Sequence, residues 1–154
     1  MSNDNVRTGR TASLRRQHNS ALQIVARIQF AITTYSDAKD AYGIGLALAK
    51  LTGVLRIHFA QEDKTLYPYM ITSTNVEAAD MAERFQHEMG GIGAAFDAFT
   101  RRWGSSAAIA AVFPAFKAES SAIFAALDHR ITRENEALYP LADAITYNEP
   151  ARTA

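Results

Sequence analysis

Apolar residues recur along this chain at helical spacing, and no segment alternates in the manner of a strand. Leu14, Ala21, Leu22, Val25, Ile28 and Ile32 make a first run, which Ser36-Asp37 breaks while capping a second. The second run holds Ala41, Ile44, Leu48, Leu51, Val54, Leu55 and Phe59. It is predicted as a helix over about 38–70, its last turn disturbed by Pro68, which lacks an N–H. Thr72-Ser73-Thr74-Asn75 turns the chain and caps a third helix carrying Val76, Met81, Phe85, Ile92, Phe96 and Phe99 up to Trp103. Gly104-Ser105-Ser106 stops it, and residues 107–113 read as a short helical connector. Pro114 suits the first turn of a fourth helix running through Phe116, Ile123, Leu127 and Ile131 to about Ile145. The pattern predicts an all-α protein, an antiparallel up-down-up-down four-helix bundle over 13–146. A flexible arm of turn-forming composition, 1–12, precedes it and a tail, 147–154, follows.

Composition narrows the chemistry. The 154 residues suit one domain, and 16 basic residues cancel 16 acidic ones, so nucleic acid is not an expected partner. With no cysteine, thiolate nucleophiles, disulfides and zinc fingers are excluded, and any metal is held by nitrogen and oxygen. Residues 1–16 are polar, with four Arg against one acid and no apolar leader. The longest uninterrupted apolar stretch, Ala107 to Phe113, is well short of the ~20 residues of a membrane span. The expectation is a cytoplasmic protein outside the membrane.

The four histidines, His18, His58, His87 and His129, fall one on each predicted helix. Counting from the helix ends places them at similar heights: His58 is 13 residues before Ile71 and His87 is 12 after Asn75. A lone histidine on an apolar face is ordinarily a core residue with one hydrogen bond. Four at one level are costly to bury without a partner, so a metal is the better reading.

Carboxylates strengthen it. His58-x3-Glu62 is an i,i+4 pair on one helix face. Glu134 is at i+5 from His129, about 140° round an ideal helix, so either a π-bulge lies between them or the carboxylate reaches across from another angle. An internal echo pairs the two acids: Glu62-x3-Leu66-Tyr67-Pro68 and Glu134-x3-Leu138-Tyr139-Pro140 share one pattern, as a duplicated helical hairpin would. The alternative for Glu134 is a solvated surface beside Arg130 or Arg133.

Taken together, His18 in Leu-Arg-Arg-Gln-His, His58-x3-Glu62-Asp-x2-Leu-Tyr-Pro, His87, and His129-x4-Glu134 with its own Leu-Tyr-Pro resemble a bacterial hemerythrin-like (HHE cation-binding) domain, over about residues 13–145. The resemblance implies a hemerythrin-like bundle around two non-haem iron ions. His18 and His58 fall on one iron, His87 and His129 on the other, and Glu62 and Glu134 bridge them. Another divalent metal is compatible with the same ligand types. The implied activity is binding or reaction with O2 or a related small ligand, peroxide or nitric oxide. An iron- or oxygen-responsive sensor or interaction bundle without turnover is the second reading.

One position departs from the oxygen carriers of that family: a fifth histidine, four residues beyond His87, is replaced by Gly91. One iron then lacks a ligand, a place for Glu83, water or substrate, although Glu83 is more readily read as an exposed helix acid. Gly90, Gly91 and Gly93 are each unfavourable in mid-helix by ~1 kcal/mol relative to Ala. They leave room beside a metal or admit a neighbouring backbone. Tyr67 and Tyr139 read as helix-end packing or as hydrogen-bonding neighbours of the site. The chain has no Glu-x2-His pair of the ferritin-like di-iron kind, and His87-Glu88-Met-Gly-Gly lacks the second histidine of a zinc protease.

Overall fold

The computed structural model describes residues 9–145. Helix α1 spans Ala12–Thr33. Rod α2 is α-helical over Ala38–Gln61 and Tyr67–Ile71, with a π turn at Glu62–Leu66 between. Helix α3 spans Val76–Arg102 and the short α4 Ser106–Ala111. Rod α5 repeats the construction of α2: Phe113–Arg133, a π turn at Glu134–Leu138, then Tyr139–Ala144. Four-residue turns join α1 to α2 and α2 to α3, and residues 103–112, which include α4, join α3 to α5, so consecutive long elements run antiparallel; no strand occurs among the described residues.

The helix ends follow local chemistry. Asp37 caps α2 by accepting from the Lys39 N–H at 2.9 Å, and Asp40 closes a capping box by accepting from the N–H groups of Ser36 and Asp37. Those bonds hold the Asp40 carboxyl below its ordinary value. Asn75 caps α3 through the Ala78 N–H at 3.0 Å, Ser105 caps α4 through that of Ala108, and Pro114 stands in the first turn of α5.

Two apolar layers with a polar layer between them fill the bundle. One apolar layer holds Ala21, Ile28, Ile44, Leu55, Phe96, Trp103, Phe116, Phe124 and Leu127. The other holds Leu14, Leu66, Tyr67, Met70, Phe85, Leu138 and Tyr139. Between Leu14 and Ala21 on α1 lies His18; between Leu55 and Leu66 on α2 lie His58 and Glu62; between Leu127 and Leu138 on α5 lie Arg130 and Glu134. All five of these polar side chains are buried, at 2% exposure or less.

The predicted arm over 1–12 lies mostly outside the described residues, as does the tail over 147–154. Its last part is not loose: Thr11 is buried, and its N–H and hydroxyl both donate to the Asp143 carboxylate, at 3.0 and 2.8 Å. By length and composition alone an 18-residue stretch within the Ala38–Ile71 rod is apolar enough to cross a bilayer; here the rod carries His58 and Glu62 into the polar layer.

Candidate metal centre

Three rods deliver the ligand types. His18 comes from α1, His58 and Glu62 from α2, and Glu134 from α5. The Nε2 atoms of His18 and His58 are 3.1 Å apart. Glu134 Oε1 lies 3.2 Å from the first and 3.9 Å from the second, and Glu62 Oε1 lies 3.1 Å from His58 Nε2. Ligand atoms held at ~2.1 Å from one small ion stand roughly 3–3.5 Å from each other, so these separations suit a shared cation. Glu62 Oε1 and Glu134 Oε2 are fully buried without an aligned donor, which is costly unless a cation uses their lone pairs.

Both rings are held in orientation from behind. The Nδ1–H of His58 donates to Gln17 Oε1 and that of His18 to Asn135 Oδ1, each at 2.8 Å. The Gln17 amide is in turn fixed by donating to Gln61 Oε1 at 2.8 Å. This leaves Nε2 of each ring as the atom turned to the common point. The Tyr139 hydroxyl joins the same point, donating to Glu62 Oε2 at 3.0 Å and lying 3.2 Å from His18 Nε2.

Electrostatics describe a site that carries protons when no cation is present. Burial alone lowers the His58 pKa, but Glu134 and Glu62 overcome it and raise it to about 9. Burial and the neighbouring Glu134 push Glu62 up to about 8. Glu134 goes the other way: burial opposes its charge, yet hydrogen bonds from Glu62, His18 and His58 hold it ionised. Burial and the two acids keep the phenols of Tyr67 and Tyr139 protonated. The pair of carboxylates thus shares one proton, and a divalent cation entering between them displaces protons from His58 and Glu62.

The model of one family, described as the hemerythrin HHE cation binding domain, matches residues 8–142 of the chain. This chain belongs to the hemerythrin HHE family. No curated protein and no solved structure matches it significantly. Metal binding is therefore the common ground of the family match and the buried His/Glu cluster.

Within this HHE domain, two of the expected ligands are elsewhere. His87 and His129 are exposed and lie outside the cluster, so the expected convergence of four imidazoles reduces to His18 and His58. The reason is azimuth. The inward face of α3 is the Ala78, Ala82, Phe85, Met89, Phe96 line, and His87, two residues past Phe85, is turned about 200° from it. On α5 the inward residue is Arg130, which leaves His129 about 100° off. A π turn does occur beside Glu134, but after it, at Glu134–Leu138, where it cannot swing His129 inward. What the π turns do is stack residues five apart, because the Tyr67 N–H bonds to the Glu62 carbonyl and the Tyr139 N–H to that of Glu134. Each carboxylate and its tyrosine are buried together, and Pro68 and Pro140 follow directly.

Glu83 and Gly91, one turn either side of His87, are exposed with it. The Gly91 position therefore opens no ligand place at the cluster, and Glu83 fills none. A side-chain carbon added at Gly90, Gly91 or Gly93 meets nothing within 4 Å, so close approach of a neighbouring helix does not explain these glycines.

Gln17, Asn135 and Arg130 are the residues that sequence reasoning missed. Arg130 is 2% exposed and donates to the Tyr67 hydroxyl at 2.9 Å and the Phe85 carbonyl at 2.7 Å. Its Nε lies 3.7 Å from Glu134 Oε2. The signal was present: aligned on Leu-Tyr-Pro, Arg130-x3-Glu134 falls on His58-x3-Glu62.

Proposed function

We propose that the buried layer holds non-haem iron and that this iron binds or reacts with O2 or a related small ligand, peroxide or nitric oxide. The observation that carries the reading is the pair of Nε2 atoms 3.1 Å apart, each ring braced through Nδ1 by an amide oxygen. Iron is the reading that membership of the hemerythrin family supports, and the ligand set of imidazole and carboxylate accommodates it. When bound, it supplies an exchangeable electron and a coordination position for the small ligand.

The chain's own residues do the rest. His18, His58, Glu62 and Glu134 are the holding groups, and the apolar layers on either side exclude water. Tyr139 keeps a proton at its hydroxyl and orients Glu62 by donating it to Oε2. A surface hollow of about 300 Å³ is lined by Arg10, Ser13, Leu14, Gln61, Thr65, Leu66 and Tyr69; Leu14 and Leu66 are each one helical turn along their rods from His18 and Glu62.

The sensor reading draws support from the same layer. Four buried polar groups left without a cation destabilise the bundle, so occupancy changes stability and, through it, partner binding. The test is to load metal-free protein with iron(II) under nitrogen, admit O2 and record the visible spectrum. New charge-transfer absorption in the native chain that is missing in His58→Ala supports the oxygen reading. An iron-loaded protein whose spectrum never changes contradicts it.

A further inference from the structure

The two halves of the bundle repeat each other at the polar layer, with one systematic exception. Glu62 and Glu134, and Tyr67 and Tyr139, occupy matching places 72 residues apart. At the same spacing His58 is matched by Arg130. On α1 and α3, His18 of Leu14-x3-His18 is matched by Phe85 of Met81-x3-Phe85, 67 residues on. The contacts agree with this pairing. The rings of His18 and His58 lie 4.6 Å apart, and the Arg130 guanidinium lies 4.4 Å from the Phe85 ring. Tyr139 touches the histidine pair while Tyr67 accepts from Arg130.

We infer that this chain holds one metal ion instead of two, with the Arg130 guanidinium built in as the second cation of the buried layer. The inference rests on the metal-binding reading above and corrects the bridged iron pair that the family resemblance implies. The Arg130 guanidinium is a donor with no lone pair to offer, so it cannot serve as a ligand, and Phe85 offers only a ring and a carbonyl that Arg130 already uses. The Arg130 guanidinium is fixed by three hydrogen bonds: Nη2 donates to the Tyr67 hydroxyl and the Phe85 carbonyl from within, and Nη1 donates to Glu88 Oε2 at 3.3 Å on the rim. Charge counting points the same way. Two carboxylates against the guanidinium and one divalent ion leave a single excess positive charge, whereas a second divalent ion would raise the excess to three, next to the guanidinium and with no imidazole to hold it. The nearest unused histidines, His87 and His129, are exposed.

The test counts ions. Metal-free protein is titrated anaerobically with iron(II), and separately with cobalt(II), and the bound metal per chain is measured after desalting. One ion per chain, an isolated-ion paramagnetic signal after oxidation, and an unchanged count in His87→Ala and His129→Ala are the expected results. Two ions per chain, or a spin-coupled pair, overturn the inference while leaving metal binding intact; no retained ion overturns the metal reading itself. The double variant Phe85→His with Arg130→His restores the missing imidazole pair and is expected to take up a second ion. A folded double variant that still holds one contradicts the role given to Arg130. Should that variant fail to fold, the native count and the two surface-histidine variants still decide.

Discussion

The Tyr139 hydroxyl donates to Glu62 Oε2 at 3.0 Å, tying α5 to α2 through groups that are both fully buried. Tyr139→Phe leaves that carboxylate oxygen without its donor. Without metal the variant is expected to lose ~1–3 kcal/mol of stability. With zinc(II) bound the loss shrinks, because the cation then compensates the carboxylate. Urea denaturation with and without zinc measures both.

The braces behind the rings set affinity. Gln17→Ala frees His58 Nδ1 and Asn135→Ala frees that of His18. Each is expected to weaken metal binding by roughly 10- to 100-fold with little change in helix content. Competition against a chelator of known affinity checks the first, and circular dichroism the second.

Proton linkage gives the metal-free protein a definite pH trend. His58 is raised to about 9 from 6.5 and Glu62 to about 8 from 4.5, so the folded chain binds more protons at neutral pH than the unfolded one. Stability therefore falls as pH rises from about 4.5, where Glu62 would ionise in the unfolded chain, to about 9, where His58 loses its proton in the folded one, by on the order of a few kcal/mol. Metal uptake near pH 7 releases those protons and tightens with rising pH. Calorimetry in buffers of different ionisation heat counts the protons. Uptake without proton release would contradict the charge states assigned to His58 and Glu62.

Much of this architecture is legible in sequence because helix ends are local. Asp37, Asn75, Ser105 and Pro114 each mark a start by their own chemistry, and α1, α3 and α4 begin and end within a few residues of the predicted places. His18, His58, Glu62 and Glu134 sit on apolar faces and are brought together. Height along a rod, however, carries no information about azimuth. By residue count His87 and His129 are level with the other two, yet they are turned to solvent, and only the inward line through Phe85 and the Leu-Tyr-Pro alignment through Arg130 expose the difference. Gln17 and Asn135 were hidden for another reason: each is an ordinary amide next to a ligand in sequence, and its role appears only when α1 meets α2 and α5.

The surface stripe on α3 provides a control. His87→Ala and Gly91→His change exposed positions, with open space at Gly91. Neither is expected to alter metal content. Replacing Gly91 adds a few tenths of a kcal/mol through helix propensity. A fall in metal content in His87→Ala would bring that residue back into the site.

The most direct test of the central claim is iron K-edge X-ray absorption on the iron-loaded chain. The account predicts a shell of nitrogen and oxygen with outer scattering from two imidazole rings, reduced in both His18→Ala and His58→Ala. Iron bound without imidazole scattering, or a native spectrum unchanged in those two variants, would contradict it.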